Sequence, residues 1–296
     1  MMSKFFTSKK IYDNVTLISC GTVQGFLVEG TERALLIDTL CGVGSLKGFV
    51  RELTDLPVTV VITHGHVDHA PGALEFGSCF IHPDDIALMY SDRCFSKERR
   101  LNFVNMAYGK SETFPSQAVM SDVIDVQAIR TYPVYEGDVF DLGGGVKIEV
   151  IEVPGHTYGT IVLLDEKNNC VYSGDACNVN TLINLPGSTT IEEYKESLLH
   201  FKTYQDRFDV MWGGHGPASV PKTTIDDGIA LCDKILAGED DAIETVTTSG
   251  APGYLALERG DSFLPKAGGT CNIVYSKDML RRRPHPEIKG EPNLIR

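Results

Sequence analysis

"THGHVDHAPG", residues 63 to 72, places three of the chain's eight histidines and one aspartate within six consecutive positions. The stretch closes the apolar run "VTVVIT", whose β-branched residues predict a buried strand. Its Pro71 and Gly72 predict a loop entering a helix. Residues two apart on an extended segment point the same way, so His64 and His66 can share one metal ion. A helical His-Glu-x-x-His site would need a spacing of four. Asp68 and His69 are adjacent and must diverge, which suits a second ion beside the first.

The pattern recurs further along the chain. The apolar runs in "VKIEVIEVPGH", "CVYSGD" and "DVMWGGH" end at His156, Asp175 and His215, and a glycine stands directly before each of these and before His66. Residues just past strand ends sit on loops held by a rigid scaffold, and glycine permits the tight turns that aim side chains at a common centre. Ligands spread over distant parts of the chain suit a catalytic metal better than a small structural finger, whose ligands cluster in short loops.

The rest of the chain is ordinary for a globular protein. Its 296 residues are 42% hydrophobic and 23% charged, and they predict one domain over residues 1 to 296. A net charge of −13 opposes a sequence-independent affinity for nucleic acid, so no nucleic-acid partner is expected. No apolar run approaches the roughly 20 residues of a membrane helix. The N-terminus has lysines but no apolar signal region, so a cytoplasmic location and no membrane partner are expected. Eight cysteines without any CxxC pair predict reduced, buried thiols rather than a metal site. Arg281, Arg282 and Arg283 read as a solvated turn.

Short apolar runs at "NVTLISCG", "GFLVEG" and "RALLIDT" predict an antiparallel opening, followed by a helix at "GSLKGFVREL". Residues 83 to 128, including "PSQAVMSDVIDV", predict a helical insertion. Its Met89, Tyr90, Phe95, Phe103, Met106, Tyr108 and Phe114 offer a lid, a local core or a homodimer surface. Further helices are expected from about Ile191 to Tyr204 and from about Pro221 to Leu236. A C-terminal extension, 250 to 296, carries hairpin signals around Gly260 and Asp261. His82 should cap or pack locally, His200 should be structural, and His285 should be solvent exposed.

The set "HGHVDH", "PGHT", "SGDA" and "GGHG", in this order and with these strand contexts, resembles the metallo-β-lactamase-fold hydrolase superfamily. The early "LLIDT" resembles that superfamily's first motif and ends in Asp38 and Thr39. The resemblance implies an α/β fold, an αββα sandwich with the metal site at one edge between two sheets. It implies that His64, His66 and His156 bind a first metal, that Asp68, His69 and His215 bind a second, and that Asp175 bridges them. Asp38 would then support the ligands from behind. The expected cofactors are two divalent ions, with zinc as the default and iron or manganese also suited to these donors.

Two such ions, roughly 3.5 to 4 Å apart, can share a water and lower its pKa toward about 7, which points to hydrolysis. Asp68 would combine ligation with proton transfer. A bridging aspartate argues for the glyoxalase II and lactonase-like branch, hence a small ester, thioester or lactone as substrate. Phosphodiester hydrolysis and mononuclear-iron persulfide oxidation are the alternatives. Tyr158 and Asn178 are the candidate substrate-binding residues.

Overall fold

The computed structural model describes residues 4–107, 117–216, 219–247, 250–260 and 264–282. Tyr108, Phe114, Asp261, Arg283 and His285 lie outside them. A first sheet runs in chain order through β1 (Thr7–Tyr12), β2 (Val15–Cys20), β3 (Val23–Glu29), β4 (Ala34–Ile37), β5 (Val58–Val61), β6 (Ser78–Ile81) and β7 (Arg130–Pro133). Its opening strands pair antiparallel, and β4 to β7 pair parallel.

A second sheet comprises β8 (Val139–Asp141), β9 (Lys147–Glu152), β10 (Ile161–Asp165), β11 (Cys170–Gly174), β13 (Val210–Gly213) and β14 (Val220–Pro221). A third, small sheet that the sequence did not signal pairs β12 (Asn180–Ile183) parallel with β17 (Asn272–Tyr275). That sheet continues through β16 (Pro252–Leu255) to β15 (Ile243–Val246).

The period-2 alternation of the strands explains the layering. Leu17, Phe26, Val28, Leu35, Ile37 and Val61 of the first sheet meet Ile148, Val150, Ile161, Leu163 and Tyr172 of the second in the central layer. The intervening residues face outward. Ile18, Leu27, Leu36 and Val60 pack under α1 (Leu46–Leu53) and the later helices of the first half. Ile151, Val162, Leu164 and Val171 pack under α5 (Ile191–Lys202) and α6 (Thr224–Ala237). Helix, sheet, sheet, helix is the αββα order. All eight cysteines are buried and free, as expected of reduced thiols.

The segment from residue 83 is helical only in its first part. α2 (Pro83–Met89), α3 (Asp92–Phe95) and α4 (Lys97–Ala107) bury Met89, Cys94, Phe95 and Val104 in the first-sheet core. Where a helix was expected in "PSQAVMSDVIDV", the described part from Gln117 on is instead an extended strap with one short turn at Met120–Asp122. Tertiary partners override its helical pattern. Asn105 exchanges two hydrogen bonds with the Ala118 backbone, Arg100 donates to the Ile124 carbonyl at 2.7 Å, and Val123 bridges to Val43. Where the hairpin was expected near Gly260, Arg259 and Pro265 form a single antiparallel bridge. Arg281 and Arg282 pair with Glu192, Glu193 and Glu196 of α5 rather than standing free.

The histidine motif leads into a short 3₁₀ turn, Pro71–Glu75. Gly72 is required there by close approach, because a β-carbon would sit 2.0 Å from the Thr39 carbonyl oxygen. Gly72→Ala is therefore expected to lower unfolding free energy by about 1–3 kcal/mol, the usual range for overpacking. Urea midpoints of the two proteins check this; an unchanged midpoint would mean that the motif loop is not held against Thr39.

Candidate metal centre

Every ligand candidate leaves the C-terminal end of a strand. His64 and His66 follow β5, His156 follows β9, Asp175 follows β11 and His215 follows β13. The two sheets are tied together here, since Ile161 N donates to the Thr63 carbonyl at 3.0 Å and Val23 of β3 bridges to His215. Loops from both sheets therefore meet at one edge of the sandwich. His64, His66 and His156 form one cluster of converging donor atoms, and Asp68, His69 and His215 form another. A third grouping, His64 with His69 and Asp175, joins them; the donor atoms within each lie within 4.8 Å of one another. Asp175 is central: its Oδ2 is 3.4 Å from His215 Nε2, 3.5 Å from His156 Nε2 and 3.8 Å from His69 Nε2.

The hydrogen bonds behind the rings set their tautomers. Asp38 accepts from Thr63 N at 2.7 Å, from Thr63 Oγ1 at 2.8 Å and from His69 Nδ1 at 2.8 Å. The His69 proton is thereby held on Nδ1, and the Nε2 lone pair faces inward. Thr63 Oγ1, having given its proton to Asp38, accepts from His64 Nδ1 at 3.1 Å, which leaves His64 Nε2 buried with no partner. His156 Nδ1 donates to the Leu182 carbonyl of β12 at 2.8 Å, so its Nε2 also faces inward, 2.9 Å from His66 Nδ1.

Converging imidazole lone pairs need a cation between them. Burial keeps protons from filling that role at two of the rings, holding the pKa of His64 well below the usual histidine range and that of His66 at about 3. Burial alone would raise the pKa of Asp68, but His69 and His215 outweigh it and hold the carboxyl at about 2. Asp175 is likewise held well below the carboxylate range, with His215 and His69 overcoming burial. Against burial, Asp175 and Asp68 push His215 well above the histidine range, and Asp68 with Asp38 raises His69. Two ionised carboxylates among five imidazoles with converging donor atoms fit divalent cations by both charge and donor type.

The two candidate substrate residues differ in placement. Asn178 is buried and donates to Asp175 Oδ1 at 3.3 Å, so it serves the aspartate. Tyr158 is 50% exposed, and the charges acting on its hydroxyl are Glu193 and Arg282, not the clustered ligands. His82 caps α2 by accepting from Asp84 N, and its Nε2 lies 3.2 Å from Glu152; His200 pairs with Glu136 on the surface.

Several supports escaped sequence reasoning. Gln24 N donates to the Gly214 carbonyl at 2.8 Å and its side-chain amide donates to the Gly216 carbonyl, bracketing His215. Thr39 ties the His69 turn through Oγ1 to the carbonyls of His69 and Ala70, each at 2.9 Å. Asp38 itself adopts the left-handed region at φ 60°, which costs a non-glycine residue on the order of 1–3 kcal/mol and here aims the carboxylate under the motif. Only its place in "LLIDT" signalled any of this.

A family model described as the metallo-beta-lactamase superfamily matches residues 19–213. The acyl-coenzyme A thioesterase MBLAC2 of Homo sapiens and that of Bos taurus are each 30% identical over 186 residues, 57% of this chain and 63% of theirs. The match thus spans less than two thirds of those relatives' length. Among solved structures, a metallo-beta-lactamase from Pontibacter korlensis superposes with a TM-score of 0.55 at 17% identity, covering 77% of this chain and 99% of its own. The sec-alkylsulfatase Pisa1 from Pseudomonas sp. superposes with 0.61 at 14% identity, covering 79% and 42%. These two share the fold. Among the described residues no helix is long and apolar enough to cross a membrane.

Proposed function

Because the chain belongs to the metallo-beta-lactamase superfamily, we propose that it is a binuclear metal-dependent hydrolase acting on a small thioester or ester. The observation that carries this reading is the inward convergence of the His64, His69 and His156 lone pairs on Asp175, with His64 Nε2 buried and unpartnered. His64, His66 and His156 would hold one cation, Asp68, His69 and His215 the other, and Asp175 both. Zinc is the expected metal. When bound, such a pair would polarise the scissile carbonyl and acidify the attacking water.

The chain's own groups then have distinct tasks. Asp38, Thr63 and the Leu182 carbonyl keep three rings in the tautomer that presents Nε2 inward. Asp68, whose Oδ2 lies 3.2 Å from His215 Nε2, accepts the attacking water's proton as its oxygen adds to the carbonyl carbon. As the carbon–sulfur or carbon–oxygen bond breaks, that proton passes to the leaving group. A thioester is favoured over other acyl substrates because the MBLAC2 relatives are named as acyl-coenzyme A thioesterases.

The test is metal analysis of protein purified without chelator, followed by turnover of esters, thioesters, lactones and bis-p-nitrophenyl phosphate on the same sample. The expected result is about two divalent ions per chain, with thioester turnover that a chelator abolishes and added metal restores. About one iron per chain with oxygen uptake on a persulfide and no hydrolysis would overturn the reading.

A further inference from the structure

Asp85, in the first turn of α2, is 1% exposed and touches no ligand candidate directly. Its Oδ2 accepts from Gly65 N at 2.7 Å and from Thr157 Oγ1 at 2.7 Å, and its Oδ1 accepts from Gly159 N at 2.9 Å. Gly65 separates His64 from His66, and Thr157 follows His156. One carboxylate therefore joins a loop of the first sheet to a loop of the second, at the residues flanking all three histidines of one ligand cluster. The approach is close on both sides. A β-carbon on Gly65 would stand 2.8 Å from the Asp85 carbonyl oxygen, and one on Gly159 would stand 2.8 Å from Asp85 N, Cβ and Cγ.

The threonines align with this. Thr160 Oγ1 accepts from Thr157 N at 3.0 Å and lies 2.7 Å from Thr157 Oγ1, whose own proton is committed to Asp85. Burial pushes the Asp85 carboxyl above the usual carboxylate range, and the donors Thr157 Oγ1, Gly65 N and Gly159 N act against that push. A buried charge without a paired cation costs several kcal/mol, and among the described residues Asp85 forms no ion pair with a lysine or arginine. The second cluster has its own support in Asp38, which holds His69.

We infer that Asp85 is a positioning residue that clamps the His64–His66 loop to the His156 loop and so sets the affinity of the three-histidine cluster for its cation. The inference rests on the binuclear metal-centre reading above. Asp85→Asn keeps the volume but removes the charge and one acceptor. Whichever way the amide turns, its NH₂ faces the N–H of Gly65 or Gly159.

The experiment titrates metal-free wild type, Asp85→Asn and Thr157→Val with Co(II), reading d–d absorption against each equivalent, with thermal unfolding of the metal-free proteins alongside. Wild type should fill both sites. Asp85→Asn should fill one as wild type does and bind the other about 10–100-fold more weakly, the range for loss of a group behind a ligand. The weakening should persist in a His215→Ala background, which disables the second cluster. Thr157→Val retains the charge and loses one donor, so a smaller weakening of the same site supports the clamp even if Asp85→Asn does not fold. Wild-type affinity at both sites in folded variants, or equal weakening of both, overturns the clamp. A wild type that binds no Co(II) overturns the metal-centre reading itself and the clamp with it.

Discussion

Asp175→Ala is expected to lower hydrolysis by on the order of 10³-fold or more and to reduce the bound metal from about two ions per chain to one or fewer. The magnitude follows by comparison, since losing a group that merely orients a ligand costs about 10–100-fold and Asp175 stands among the donor atoms themselves. Its Oδ2 is within 3.8 Å of three imidazole nitrogens drawn from both clusters, and no other residue spans them in this way among the described residues. Removing it withdraws the negative charge that offsets two cations and opens the space between them. His200→Ala is the matched control. That ring pairs with Glu136 on the surface, away from the cluster, and turnover should be unchanged. Near wild-type turnover in Asp175→Ala with full metal content would sink the bridging role.

The second large effect should come from Asp38, through a tautomer. In Asp38→Asn the amide can accept from Thr63 N only by turning its NH₂ toward Thr63 Oγ1 and His69 Nδ1, both of which now donate to the carboxylate. His69 is then driven to carry its proton on Nε2, the nitrogen that faces the centre, and is lost as a donor. Metal affinity of the Asp68, His69 and His215 cluster should fall by about 10–100-fold. Asp38→Ala removes all three buried bonds and leaves His69 without its carboxylate, a loss on the order of 3–5 kcal/mol. Metal titration with urea denaturation of the same samples separates the two variants. Asp38→Asn should lose metal while remaining folded, whereas Asp38→Ala should lose both. Undiminished metal binding in Asp38→Asn would show that the His69 tautomer is not under its control.

Much of this centre was legible without coordinates because ligation imposes local patterns. His64 and His66 stand two apart just past an apolar run, and glycines precede His66, His156, Asp175 and His215 at strand ends, so the donors announce themselves by type and position. The continuous apolar run Ala34–Ile37 likewise marks a buried strand, whose Leu36 faces one layer and whose Leu35 and Ile37 face the other. Where the pattern was ambiguous, it misled. "PSQAVMSDVIDV" has helical spacing, yet Asn105, Arg100 and Val43 hold its described part, from Gln117 on, as a strap. Tyr158, a candidate substrate residue, is half exposed, with Glu193 and Arg282 as its charged neighbours.

Strands, ligand candidates and the chemistry they suit could thus be read from neighbouring residues, because burial period and donor type are local properties, while the layered order followed from the family resemblance. Which groups hold each ring and each loop is a matter of long-range folding. Asp85 lies 72 residues from Thr157, Gln24 lies 192 from Gly216, and the Leu182 carbonyl that orients His156 is a backbone atom with no residue-type signature. An acid in the first turn of a helix reads as ordinary helix chemistry. It becomes a clamp only when folding brings two loops from different sheets onto the same carboxylate.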